Sequence, residues 1–152
     1  MTQSKLSEKV ILDRIYWIEK MIGLIRSLPM ENFDIFASDS RNIASAESYI
    51  RRCIEALLDL GRHIIAKGFG QAVSEYKKIP RALKEYDVLD REKATLLISI
   101  AGYRNRMVHF YNEISDRELF DICSKEIIDI ENIIKDIKDW INKHPEMIDK
   151  SL

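Results

Sequence analysis

One short segment gathers side chains that could do chemistry together. It reads Gly102-Tyr103-Arg104-Asn105-Arg106-Met107-Val108-His109-Phe110-Tyr111. Arg104, Asn105, His109 and Tyr111 put a guanidinium, a carboxamide, an imidazole and a phenol within about two helical turns. An imidazole that titrates near neutrality could remove the 2′-hydroxyl proton of RNA or protonate the leaving oxygen. A guanidinium could stabilise the charge that builds on the phosphoryl oxygens. A carboxamide could orient a phosphate or the imidazole. Elsewhere the chain has no Cys or Ser nucleophile with an obvious adjacent His, no Gly-rich phosphate loop, and no carboxylate or His cluster at metal spacing. The set therefore suits RNA cleavage without a metal or a cofactor. Each residue also has a plainer role: a His cap, a structural Arg ion pair, an Asn on a neighbouring backbone group, a Tyr with a packed ring and a wetted hydroxyl. From the residues alone both readings stand.

The elements that must position this set are helical. Ile11, Ile15, Ile18, Ile22 and Ile25 mark one face of a first helix over about residues 7–28, capped by Ser7 and stopped by Pro29. In the connector 30–38, Phe33, Ile35 and Phe36 are expected to fold back onto the core. A long second helix starts near Asp39 or Ser40 and runs to about Lys67. Its stripe is Ile43, Ala46, Ile50, Cys53, Ile54, Leu57, Gly61 and Ile64. Pro80 opens a short helix. Asp90 caps a helix from Arg91 to about Phe110. Ser115 and Glu118 form a capping box for the last helix, whose stripe is Leu119, Ile122, Ile127, Ile130, Ile134, Ile137 and Ile141. No β-alternation competes. The fold class is all-α, an antiparallel four- to five-helix bundle formed by one domain over 1–152. The first two long helices are expected to pair, as are the last two.

The motif helix breaks its own pattern. Ala94, Leu97, Ile98 and Ala101 set a core stripe whose next positions are Arg104, Asn105 and Val108. A buried unpaired guanidinium is very costly, so the stripe must open into a cleft there or meet polar partners. Arg104 and His109 sit about 140° apart on a helical wheel, which splays them on one helix. A two-fold partner could bring both kinds of group into one cleft.

Composition limits the rest. The chain has 152 residues, 46% hydrophobic and 32% charged, which fits a globular protein rather than a disordered one. Cys53 and Cys123 read as reduced, buried thiols. The first residues lack the apolar core of a signal peptide, and the most apolar stretch, Leu96 to Tyr103, is far short of a membrane span; a cytoplasmic protein is expected. The net charge of −1 hides an asymmetry: residues 51–106 carry 12 Lys and Arg against 7 Asp and Glu, and residues 107–152 carry 6 against 11. The middle third could face a polyanion, or could simply attract the acidic end of the chain.

Arg104-Asn-Arg-Met-Val-His109-Phe-Tyr111 resembles the R-x4-H-x-Y motif of the HEPN superfamily, specifically of its HepT-type toxins. The polar residue after the arginine, Asn105, fits that motif. The run Tyr49 to Ala66, YIRRCIEALLDLGRHIIA, resembles the family's long second helix. The resemblance implies a HEPN-like bundle that dimerises with the motif helices facing a shared cleft. It implies a metal-independent endoribonuclease, the toxin of a type VII-like toxin–antitoxin pair. Arg104 and His109 would be the catalytic pair, assisted by Asn105. The implied partner is a minimal nucleotidyltransferase antitoxin, which would inhibit the toxin by attaching AMP to Tyr111. Arg51, Arg52, Lys77 and Lys78 would then be RNA-binding candidates within the basic third of the chain. Two other classes remain: a non-catalytic helical subunit that binds nucleotide or substrate for a nucleotidyltransferase, and an adaptor bundle whose Arg104 pairs across a dimer.

Overall fold

The computed structural model describes residues 5–109 and 113–151. Four long helical stretches carry the architecture. Helix α1 spans Glu8–Arg26 and α3 spans Ser40–His63, with the short α2, Phe33–Ala37, between them. Helix α4, Ile79–Glu85, precedes α5, Arg91–His109. Helices α6, Asp116–Asp121, and α7, Ile127–Lys143, continue one another.

Local sequence explains where these elements begin. Ser7 accepts from the Val10 N–H, Asn32 from Ile35, Asp39 from Arg41, and Asp90 from Lys93, satisfying amides that a helix start leaves unpaired. Ser115 likewise accepts from the Glu118 N–H at 3.1 Å. The expected capping box is only half made, because the Glu118 carboxylate is taken by Arg106.

The helices run antiparallel, as the order of their cross-contacts shows. Ser7 meets His63 while Ile18 meets Cys53, so α1 and α3 run in opposite directions. Glu19 pairs with Lys138 and Arg26 with Glu131, so α1 and α7 do too. The α1–α3 pair is the most extensive packing in the molecule. The last two long helices touch more sparingly and are tied by Lys93 and Asp136. Ile18, Ile25, Ile50, Leu57, Ile130 and Ile137 are among the fully buried core residues, and no charged residue is buried among the described residues. Cys53 and Cys123 are free and buried, and burial pushes both thiols up to about 12.

Several expectations need correction. Phe36 is fully buried and Phe33 packs on Phe120, but Ile35 is 44% exposed. A five-residue helix has one buried stripe, and Ile35 lies off it. The long helices are not uniform. A π turn, Ile64–Gly68, extends α3, and another, Ile122–Glu126, joins α6 to α7. The second lies where the apolar stripe steps by five, from Ile122 to Ile127. A π turn inserts the extra residue that keeps both on the core side. The chain is also not wholly helical: Leu6–Ser7 (β1) pairs in parallel with Ile148–Asp149 (β2) and ties the two ends together.

That tie has a titratable component. The half-buried His63 accepts the Ser7 N–H at Nε2, 3.0 Å away, which only a neutral ring can do. Burial, then the charges of Lys67 and Arg14, lower its pKa below the usual 6.5. Below about 6.5 the unfolded chain therefore binds more protons than the folded one, and this contribution is lost as pH falls. His63→Ala should cost about 1 kcal/mol near pH 7.5. Thermal unfolding of the two proteins should converge as pH is lowered to about 5; parallel pH profiles would rule out His63 as the titrating group.

Candidate active site

The motif helix is oriented by its true apolar stripe. Ala94, Leu97, Ile100, Ala101 and Met107 are buried, whereas Ile98 and Val108 are each 40% exposed. The stripe expected through Ile98, Asn105 and Val108 is thus rotated. Arg104 lies on the inner edge with its side chain 17% exposed. Asn105 is half-buried beside it, and His109 is exposed at the helix end.

Arg104 meets polar partners and a cleft at once. Its Nη2 donates to Glu55 Oε2 of α3 at 3.2 Å, and its Nη1 donates to Asn105 Oδ1 at 3.3 Å. Its partner is therefore within its own chain. Its guanidinium carbon lies 4.7 Å from the centroid of the Tyr76 ring, as does that of Arg62. Each guanidinium can interact with the π face. The Nε atoms of Arg62 and Arg104 are buried without a hydrogen-bond partner among the described residues, so the terminal nitrogens alone can serve a ligand.

Tyr76 is held from three directions. It lies in a 3-10 turn, Tyr76–Lys78, that leads directly into α4. Its hydroxyl donates to Asp59 Oδ1 at 2.9 Å. Burial, followed by this contact with Asp59, raises its pKa and keeps it a neutral donor. The preceding loop is pinned by Phe69 stacked on Tyr86 at 4.2 Å and by the Tyr86 hydroxyl on Gln71 at 2.8 Å. Gly70 supplies a φ of 68°, a left-handed turn that glycine adopts without strain.

An open cleft of about 600 Å³ results. Arg104, Asn105 and His109 line one side, and Arg62, Tyr76 and Lys77 line the other. The structure thus brings together the three expected catalytic residues and one of the four RNA-binding candidates. Lys78 is exposed and pairs with Glu75 at 3.6 Å. Arg51 donates to Glu55 at 2.8 Å, and neither it nor the exposed Arg52 lines the cleft. Tyr111 lies outside the described residues. Arg106, inside the motif, is structural: it makes two 2.8 Å bonds to Glu118 and one of 3.1 Å to the Glu113 carbonyl. That hydrogen bonding holds the Glu118 carboxyl below its ordinary range. Among the described residues, no group of three or more His, Cys, Asp or Glu is placed to hold a metal. Among the described residues, too, no helix is long and apolar enough to cross a membrane.

Sequence reasoning missed Glu55, Asp59 and Tyr76 as members of the site, and set Arg62 only among the basic residues that could track RNA outside the cleft, whereas it lines the cleft. The three from α3 stand at i, i+4 and i+7, one face of the helix, and that regular polar spacing was the available signal.

Comparison with known proteins gives the family and the fold. The family model for ribonuclease HepT-like proteins matches residues 18–137. A tRNA nuclease HepT from Aphanizomenon flos-aquae (strain 2012/KM1/D3) is 24% identical over 115 residues, 74% of this chain and 78% of the relative. A tri-AMPylated Shewanella oneidensis HEPN toxin, solved in complex with MNT antitoxin, matches with a TM-score of 0.77 and 22% identity. The match covers 86% of this chain and 97% of the toxin. YutE, a cytosolic protein of unknown function from Bacillus subtilis, matches at 0.78 with 17% identity, over 93% and 95%. The two solved structures speak to the fold.

Proposed function

This chain belongs to the ribonuclease HepT-like family, and on that premise we propose that it is a metal-independent endoribonuclease toxin whose cleft cuts RNA. One observation carries this most directly: Arg104, Asn105 and His109 open into a single cleft whose far wall adds Arg62 and Lys77 beside Glu75, itself paired with Lys78. His109 transfers the proton at the 2′-hydroxyl or at the leaving 5′-oxygen as the 2′-oxygen attacks phosphorus. Arg104 donates to the non-bridging oxygens as their charge grows. Asn105 holds Arg104 through Nη1. Arg62 and Lys77 take the flanking phosphates; Arg51, Arg52 and Lys78 lie outside the cleft and at most extend that track. The tRNA nuclease relative supports tRNA as the substrate to try first.

The partner proposed is a minimal nucleotidyltransferase of the MNT kind, supported by the Shewanella complex. It would silence the toxin by moving AMP from ATP onto the Tyr111 oxygen, with pyrophosphate and the phenolic proton released, which adds bulk and negative charge at the end of the motif. The decisive experiment incubates purified protein, shown by intact mass to be unmodified, with tRNA in EDTA. Cleavage is expected. Intact tRNA would leave a nucleotide-binding subunit as the reading.

A homodimer is proposed through the outer face of α5. Thr95, Ile98, Gly102, Asn105 and His109 fall on one line of that helix. Ile98 is 40% exposed, and a Cβ at Gly102 would meet nothing within 4 Å. A second copy packed there would set two His109 side chains near one cleft. Gly102→Trp has room in the monomer but not against a second helix. It should sediment as a monomer with cleavage at least ten-fold lower. A fully active dimer would place the interface elsewhere.

A further inference from the structure

Glu55 is one carboxylate shared by two guanidiniums. Oε1 accepts from Arg51 Nη1 at 2.8 Å, and Oε2 accepts from Arg104 Nη2 at 3.2 Å. The first contact is local, between residues one turn apart on α3. The second crosses from α3 to α5 and is longer. Glu55 is 25% exposed and Arg104 17%, so the pair is partly shielded from water but not sealed from the cleft.

This sharing has a consequence for any phosphate that enters. Arg104 Nε is shut in, so a phosphate must use Nη1 and Nη2. Those two nitrogens are the ones held by Asn105 and Glu55. Asn105 is neutral and can share. Glu55 is an anion, and a phosphate drawn to Nη2 is repelled by it. The same carboxylate also fixes where that nitrogen points, with the Tyr76 ring behind the guanidinium. Glu55 therefore opposes the arrival of phosphate and aims the group that receives it.

We propose that Glu55 is a positioning residue and displaceable counter-ion of Arg104, and that Arg51 is the cation that retains Glu55 when an RNA phosphate takes its place. This rests on the proposal that the cleft cuts RNA. Arg51 then acts on RNA through Glu55 and not by touching the RNA backbone. No bond is made or broken in the exchange: one ion pair on Arg104 is replaced by another, and Glu55 keeps its shorter contact.

The test separates binding from turnover. Binding of tRNA is measured in the His109→Ala background, where the RNA stays whole, and turnover is measured with His109 present. Glu55→Gln keeps the shape and removes the charge. It should bind tRNA three- to ten-fold more tightly and turn it over at least ten-fold more slowly. A merely structural glutamate would not raise affinity while lowering kcat. Arg51→Ala leaves Glu55 to Arg104 alone and should weaken tRNA binding three- to ten-fold. In the Glu55→Gln background the same change should have no effect. Equal weakening in both backgrounds would make Arg51 a direct RNA contact and overturn the proposal. So would Glu55→Gln with wild-type affinity and turnover, provided its thermal unfolding shows it folded. Wild-type protein that neither binds nor cuts tRNA would instead defeat the functional reading on which this rests.

Discussion

His109→Ala should lower tRNA cleavage by roughly a hundred- to ten-thousand-fold, the range expected for loss of a general acid–base group. The change should appear in kcat, with tRNA affinity nearly kept, because His109 lies exposed at the end of α5 and its removal leaves Arg104 anchored to Glu55 and Asn105. Arg104→Ala should cost a comparable factor, about a hundred- to a thousand-fold, by removing donors aimed at the growing phosphoryl charge. Arg104→Lys should not restore the lost rate. Two different nitrogens of Arg104 reach Glu55 and Asn105, and a single ammonium cannot reproduce that fork. The double variant should be scarcely worse than the weaker single one, since groups acting on the same transition state are not additive. Single-turnover cleavage of tRNA by mass-verified protein measures all four variants. Full activity in His109→Ala would remove the imidazole from the reaction.

Much of this site was legible in the sequence, and its limits have physical causes. The stripes of α1, α3 and α7 could be read because each helix buries one face against a single core. The caps Ser7, Asp90 and Ser115 could be read, and the start of α3 narrowed to Asp39 or Ser40, because capping is local, between residues two or three apart. Helix α5 misled because it carries apolar residues on two sides. Steps of three and four lead equally well from Ala94 through Leu97 to Ile100 and Met107, which are buried, or through Ile98 to Val108, which are exposed. Periodicity cannot rank two apolar faces when a partner is expected on one of them. Glu55 was passed over because a carboxylate next to a buried stripe looks like any solvated residue. Its meaning comes from Arg104, 49 residues further on. Tyr76 sat in the least regular stretch, where spacing carries no signal. Glu118 looked like half of a capping box, and only the fold reveals Arg106 as the stronger claimant, through two charge-assisted bonds.

Gly61→Leu should disturb both stability and chemistry, because this glycine is where α3 and α4 touch. A Cβ at Gly61 would come within 2.8 Å of Ile79 Cγ2 and 3.1 Å of Leu83 Cδ1. The Ile79 methyl belongs to a β-branched side chain with little freedom at χ1, so α4 itself must move. Replacing glycine inside a helix gains about 1 kcal/mol of propensity. Overpacking a fitted core costs typically about 1–3 kcal/mol, and a leucine adds three more carbons beyond the clashing Cβ. With three further carbons to place, the upper part of that cost applies and the second effect wins, for an expected net loss of up to about 2 kcal/mol, or up to roughly 8 °C in Tm for a chain of this size. The loss should extend to the cleft. The turn that carries Tyr76 and Lys77 runs straight into α4. A displaced α4 draws the Tyr76 ring away from Arg62 and Arg104 and strains its bond to Asp59. tRNA cleavage should therefore fall even at temperatures where the variant is fully folded. Gly23→Ala is the matched control, since nothing lies within 4 Å of its Cβ. It should gain roughly 0.5–1 kcal/mol and keep wild-type cleavage. If Gly61→Leu were as stable and active as that control, α4 would not be seated on α3. The wall that places Tyr76 opposite Arg104 would then need another support.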